Sequence, residues 1–215
     1  MIYLTTYNPW YMSTYKYLNA INDSGKKAFL TKDLQNLLEI DSKRTLEDLI
    51  KRFLDEKILI SLEKGKYLLG NAEVSDFEIA QFLYSPSYIS FETALNYYGI
   101  LSQFPVEITS VTTKSTQKKE VLEKMYTYSQ ISTSLFTGYI KEEDALIALP
   151  EKALLDQLYM IAKGLKTKQY LDEMDYSAID KAKFQEYFKL LPDKLSKSIQ
   201  ELADKYLWPC TFYTS

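Results

Sequence analysis

Histidine is absent from all 215 residues, and there is one cysteine, Cys210. The first absence removes a Ser-His-Asp or Cys-His nucleophile pair, a histidine general base and an H-E-x-x-H zinc site together. A lone cysteine builds neither an internal disulfide nor a thiolate cage around a metal. The six glycines are scattered, with neither G-x-x-x-x-G-K-[ST] nor G-x-G-x-x-G among them, so no loop is built to cradle phosphates. No apolar run is long enough to span a bilayer, and the opening MIYLTTYNPWYMSTYKYL has no basic stretch followed by an apolar core. The expectation is a cytoplasmic, non-enzymatic protein with no metal, no cofactor and no membrane partner. Carboxylate or lysine chemistry is the catalytic alternative left open, and Glu142-Glu143-Asp144 is its densest acidic cluster, a pattern more typical of a solvated loop.

What is present is an ordinary globular composition, 46% hydrophobic and 26% charged, with a net charge of −3. The charge is unevenly spread. Residues 1–70 hold eleven Lys and Arg against nine Asp and Glu, whereas the remainder holds fifteen against twenty. Of nineteen tyrosines, five crowd into YLTTYNPWYMSTYKY near the start and two more stand together in NYYG. With Lys16 as the one interleaved cation there, packing of Trp10, Tyr11 and Tyr15 against a neighbouring domain or subunit is expected rather than stacking of single-stranded bases.

Within the first seventy residues, apolar positions recur at helical spacing from Trp10 to Ile21, behind Pro9. After a break at NDSGKK, Thr31 is placed to cap a second helix bearing Leu34, Leu37 and Leu38. Asp41 or Ser42 then caps a third, whose buried stripe is Leu46, Leu49, Ile50, Phe53 and Leu54. Its outward side carries Arg44, Thr45, Asp48, Lys51, Arg52 and Asp55. Lys43 and Arg44 stand at its N-terminus, where the helix dipole disfavours cations. ILISL and KYLL flank EKG, and Gly65 supplies the positive φ of a tight turn. Three helices followed by a hairpin with lysines at its tip is the order of a winged helix-turn-helix. In that arrangement the third helix enters the major groove and the hairpin lies along the backbone. The candidate DNA-binding residues are Thr31, Lys32, Ser42, Lys43, Arg44, Thr45, Lys51, Lys64 and Lys66. The same order of elements also serves protein docking, and that alternative stays open.

Residues 71–84 read as a connecting helix, and 85–215 as a mixed helix-and-sheet domain; the whole is α+β. A turn at SPS leads to a helix that Ser90 caps, Glu92 begins and Gly99 stops. VEITSVTT, YTYSQI, LFTGYI and ALIAL read as strands. Pro150 and Glu151 open a helix in which Lys152 and Asp156, four apart, pair on the surface. Helical patterns fill most of 167–207. TTKSTQKKE is a polar loop, and its Lys114, Lys118 and Lys119 form a possible second phosphate-binding patch.

YISFETALNYYGI and IALPEKALLDQLY, preceded by a unit ending GKYLL, resemble the AbiEi-type antitoxins of bacterial abortive-infection (type IV) toxin–antitoxin systems. The resemblance spans most of residues 25–165, and its second block is the more specific. It implies an N-terminal winged helix that binds double-stranded DNA at its own promoter and represses transcription. It also implies a C-terminal domain that counters a co-encoded nucleotidyltransferase-like toxin. Separately, a monomer or weak dimer is expected, pairing on DNA. The family's DNA-binding elements map onto Lys43, Arg44 and Thr45 in the third helix and onto Lys64 and Lys66 in the wing. No catalytic residue is carried over.

Overall fold

A computed structural model describes residues 9–207, with side chains from residue 14 onward. Trp10, Tyr11 and Cys210 therefore lie outside the described side chains, while Tyr15 is exposed. The architecture is α+β, in two compact units that divide between Val74 and Ser75. No helix among the described residues is long and apolar enough to cross a membrane.

The first unit runs α1 (Pro9–Asp23), β1 (Ala28–Leu30), α2 (Thr31–Leu38), α3 (Lys43–Asp55), β2 (Leu59–Glu63) and β3 (Lys66–Leu69). Its strands form an antiparallel sheet in the order β1-β3-β2. α3 forms where the sequence places it. The Ser42 hydroxyl accepts from Thr45 N at 3.3 Å, and Leu46, Leu49, Ile50 and Phe53 are buried. These four join Ile21, Phe29, Leu34, Leu38 and Leu59 in one core, so the helices and the sheet share a single apolar centre. Glu39 turns left-handed (φ 55°) and Ile40 is buried, which ends α2 and leaves residues 39–42 to reach α3.

The hairpin carries a bulge. Ser61 pairs with Tyr67 but Glu63 pairs with Lys66, so Leu62 is the extra residue. Strict alternation from Leu59 would aim Leu62 outward; the bulge turns it into the core instead. Lys64 and Gly65 make the turn, with Gly65 at φ 81°. Two local expectations need correcting. Ala28–Leu30, left unassigned between the break at NDSGKK and the helix expected at Thr31, is the strand β1. Thr31 is not a cap but the first helical residue; the residue before it, Leu30, has no side-chain oxygen, and its N–H is taken by Asp33 Oδ2 at 2.9 Å.

The second unit begins with α4 (Asp76–Leu83), which Ser75 and Glu78 cap reciprocally. This helix was expected to be a connector over 71–84. It belongs instead to the second unit, where Gln81 spans two strands, donating to Ser87 O and accepting from Leu146 N. There follow β4 (Ser87–Ile89), α5 (Phe91–Tyr97), β5 (Glu107–Thr112), β6 (Gln117–Val121), β7 (Lys124–Gln130), β8 (Tyr139–Glu142), β9 (Ala145–Ala148), α6 (Pro150–Ala162), α7 (Lys181–Phe188) and α8 (Asp193–Tyr206). The six strands lie in the order β6-β7-β5-β4-β9-β8, with β4–β9 and β5–β7 parallel and the other pairs antiparallel. β4 was not expected at all, yet it is central and buried. TTKSTQKKE is loop only over 113–116, because Thr112 ends β5 and Gln117–Val121 is the edge strand β6. Within LFTGYI only Tyr139 and Ile140 are strand, and Thr133–Leu135 is a short 3-10 turn.

Candidate functional site

In the first unit the structure gathers one group of predicted residues directly. The backbone N–H of Thr31 donates to Gly65 O at 3.0 Å, and Leu30 pairs with Lys66 across the sheet. The start of α2, with Thr31 and Lys32, is thereby fastened to the hairpin tip. Lys32 and Lys64 are both exposed there. Lys66 differs, since its ammonium lies 2.9 Å from a Glu63 carboxylate oxygen and it is only half-exposed. Of the two wing lysines, Lys64 is the one that projects.

A second group sits at the start of α3. Ser42, Lys43, Arg44 and Thr45 are all exposed, and the first turn of this helix holds no acidic side chain. Lys43 lies 3.8 Å from Glu47, in an exposed pairing that solvent and salt weaken. Arg44, Asp48, Lys51 and Asp55 share one line along the helix, and Lys51 stands about 10 Å beyond Arg44. Charge alternates along that line, so cations outnumber acids only at the N-terminal end. Arg52 is half-buried and donates to Thr14 Oγ1 at 3.4 Å.

The possible second patch is less open. Lys118 pairs with Glu107, while Lys119 donates to Leu83 O at 3.3 Å. Lys114 donates to Ser85 O at 2.5 Å, and both Lys114 and Lys119 lie over the Tyr84 ring. Each of these lysines is engaged within its own unit. Glu142, Glu143 and Asp144 are exposed, and Asp144 pairs with Lys141 at 3.4 Å.

Sequence reasoning missed a buried polar cluster that joins α6 to β4. Lys152 and Asp156, expected on the helix surface, are 1% and 2% exposed. Their ion pair is buried because α6 is covered all round, every residue from Glu151 to Ile161 being enclosed. Ser90, expected to cap α5, donates its hydroxyl to Asp156 Oδ2 at 2.8 Å. Tyr88 donates to the same oxygen at 2.9 Å and accepts from Lys152 Nζ at 2.9 Å. Burial first, and then the neighbouring Asp156 carboxylate, push the Tyr88 phenol well above its ordinary pKa. Its proton therefore stays in place to serve the carboxylate. Four side chains so form a closed set in which both charges are compensated. The two sequence blocks, more than sixty positions apart, meet here: YIS supplies Tyr88 and Ser90, and PEKALLD supplies Lys152 and Asp156. These bonds hold α6 against β4 and the residue that follows it.

Beside it lies a cavity of about 340 Å³ lined by Glu92, Glu107, Lys166, Phe104, Val106 and Tyr170, among others. Lys166 donates to both oxygens of Glu92, at 2.7 and 2.5 Å, and Gln157 adds a third bond at 2.9 Å. Glu107 accepts from Lys118 and, at 2.5 Å, from Thr127. Burial raises its pKa, but these two donors and the Lys118 charge more than offset that, and the carboxyl is held below its usual value. Among the described residues no group of three or more acidic or cysteine side chains could hold a metal ion.

No family model matches the chain, and no curated protein matches it either. Among solved structures it resembles the crystal structure of the RV2827C protein from Mycobacterium tuberculosis. The TM-score is 0.61 at 16% identity, covering 91% of this chain and 76% of that one. At that identity the likeness concerns the fold.

Proposed function

We propose that the first unit is a winged helix-turn-helix that binds double-stranded DNA, and that the protein represses its own promoter as the antitoxin of a toxin–antitoxin operon. The observation that carries the DNA reading is the exposed first turn of α3. Lys43, Arg44 and Thr45 stand there with no acidic neighbour in the turn, on a helix that Ser42 caps and a four-residue connection joins to α2. Lys64 at the hairpin tip and Lys32 beside it supply the phosphate contacts. Arg44 reads a base edge, and Thr45 and Ser42 bind flanking phosphates.

The antitoxin half of the proposal draws on the resemblance to the AbiEi-type family. It is supported by the convergence of both matched blocks on one closed cluster, which gives those residues a shared physical task. The partner is a co-encoded nucleotidyltransferase-like toxin.

Gel-shift titration against the DNA upstream of its own gene, at two salt concentrations, tests the DNA reading. Arg44→Ala relaxes preference by about 1–3 kcal/mol at one or two base pairs. Lys64→Ala weakens all sequences alike and lowers the salt slope by about 0.9. Unchanged binding by both variants would refute the assignment. A protein-docking adaptor is the second reading, favoured by Asp48 and Asp55 interleaved among the cations of α3. It predicts no promoter shift and a stable complex with the product of the adjacent gene.

A further inference from the structure

We infer that Glu63 is an affinity limiter built into the hairpin: its carboxylate holds the Lys66 ammonium back from DNA phosphates and keeps the grip on every duplex weak. The inference rests on the DNA reading above and adds a residue that regulates it. Two lysines two positions apart differ in what surrounds them. Lys64 projects from the turn, exposed, whereas the Lys66 ammonium lies 2.9 Å from Glu63 Oε1.

The backbone sets this pairing. The strand register shifts between Ser61 and Glu63, which makes Glu63 the cross-strand partner of Lys66 with only Lys64 and Gly65 between them. Opposite charges placed directly across a strand pair attract. On its other side Lys66 faces Leu30 of β1, because β3 is the middle strand of the sheet. The Lys66 and Glu63 side chains are 21% and 31% exposed, so salt screens this pair less than a fully solvated one. Lys43 and Glu47 are the contrast within the same unit. They stand 3.8 Å apart with side chains 88% and 60% exposed, and such a pair yields readily to a competing phosphate.

To reach DNA, Lys66 must exchange one anion for another, and the released carboxylate then repels the phosphates it competed with. The exchange gains little, so Lys66 adds little to binding. A lysine without such a partner supplies one phosphate contact, worth about 0.9 in the salt slope. Between 0.1 M and 1 M salt that slope amounts to about an eightfold change in affinity. Phosphate contacts carry no sequence information, so Glu63 weakens all duplexes alike and leaves base preference to Arg44. A repressor limited in this way leaves its promoter readily.

Fluorescence anisotropy titration of the full-length chain tests this, with a duplex from upstream of its own gene and a scrambled duplex, over about 0.1–0.6 M salt. Glu63→Gln tightens both duplexes about eightfold at the lowest salt and steepens the salt slope by about 0.9. Adding Lys66→Ala removes that gain. Glu47→Gln, which deletes the same charge, gives a smaller gain that Lys66→Ala does not touch. Lys66→Ala by itself costs less affinity than Lys64→Ala. Glu63→Thr, a strand-favouring residue at the same position, behaves as Glu63→Gln and decides the matter if the glutamine disturbs the hairpin. Three results overturn the inference while the DNA reading stands: wild-type binding that neither Glu63 variant tightens, a gain that survives Lys66→Ala, or a loss in Lys66→Ala equal to that in Lys64→Ala. Failure of the wild-type chain to bind either duplex removes the DNA reading and this inference with it.

Discussion

Replacing Lys152 with methionine removes an ammonium of similar length from a site that solvent does not reach. Asp156 then keeps two hydroxyl donors, Tyr88 at 2.9 Å and Ser90 at 2.8 Å, but loses its counter-charge. Stripping one partner from a buried pair costs about 3–5 kcal/mol, because the surviving charge stays desolvated. The two hydroxyls moderate the loss, which places Lys152→Met near the lower figure, about 3 kcal/mol. Adding Asp156→Asn changes the sign of the comparison. An asparagine oxygen still accepts from Tyr88 and Ser90, no charge remains, and the cost falls to about 1–2 kcal/mol, the range of an imperfectly paired buried amide. The double variant is thus more stable than Lys152→Met alone by about 1–2 kcal/mol, and the full cycle shows the two single losses to be far from additive. Urea unfolding of the second unit, followed by circular dichroism at low and high salt, measures this. The coupling persists in 1 M NaCl, because salt does not screen a pair that water cannot reach. Additive single losses, or a coupling that vanishes with salt, would refute the reasoning.

Ser42→Ala removes the one side-chain cap of α3 and lowers the stability of the first unit by about 1 kcal/mol, read from its urea midpoint. Gly70→Ala is far worse than its exposed position suggests, since the new methyl would stand 2.0 Å from Lys57 O. It shifts the end of β3 and costs at least about 2 kcal/mol in the same assay. Gly65→Ala, at φ 81° and with Thr31 Oγ1 3.3 Å away, costs about 1–2 kcal/mol and loosens the hairpin tip. The Glu107 carboxyl is held below its ordinary value of 4.5, so its contribution is present above that pH and is lost as pH falls through the lower folded-state value. Glu107→Gln therefore flattens the acid side of the stability profile and leaves the profile above pH 5 with the wild-type slope.

The elements that announce themselves in the sequence are those with one wet face. α3 has a serine cap and Leu46, Leu49, Ile50 and Phe53 at helical intervals, and both signals survive folding unchanged. The hairpin shows by its alternation and Gly65, although the bulge at Leu62 was not legible from period alone. β4 leaves no trace because Ser87, Tyr88 and Ile89 are all buried, and a strand covered on both faces has no alternation. β6 fails for the opposite reason, as its QKKEV reads as loop although an edge strand tolerates such polarity. The Lys152–Asp156 spacing is the same whether a helix faces water or protein, so only the enclosure of α6 reveals which. Glu92 and Lys166, 74 positions apart, have no sequence signal joining them.

The separation of Tyr88 and Ser90 from Asp156, 68 and 66 positions along the chain, bears on the order of assembly. Their bonds require β4 and β9 to align in parallel, a pairing that closes a long loop before any compensating contact forms. We expect the first unit, whose helices lie in short succession, to acquire its shape early in synthesis, ahead of the second. A nascent chain would then present its α3 surface while the aspartate still faces water, and quality control by proteases would act chiefly on the slower half.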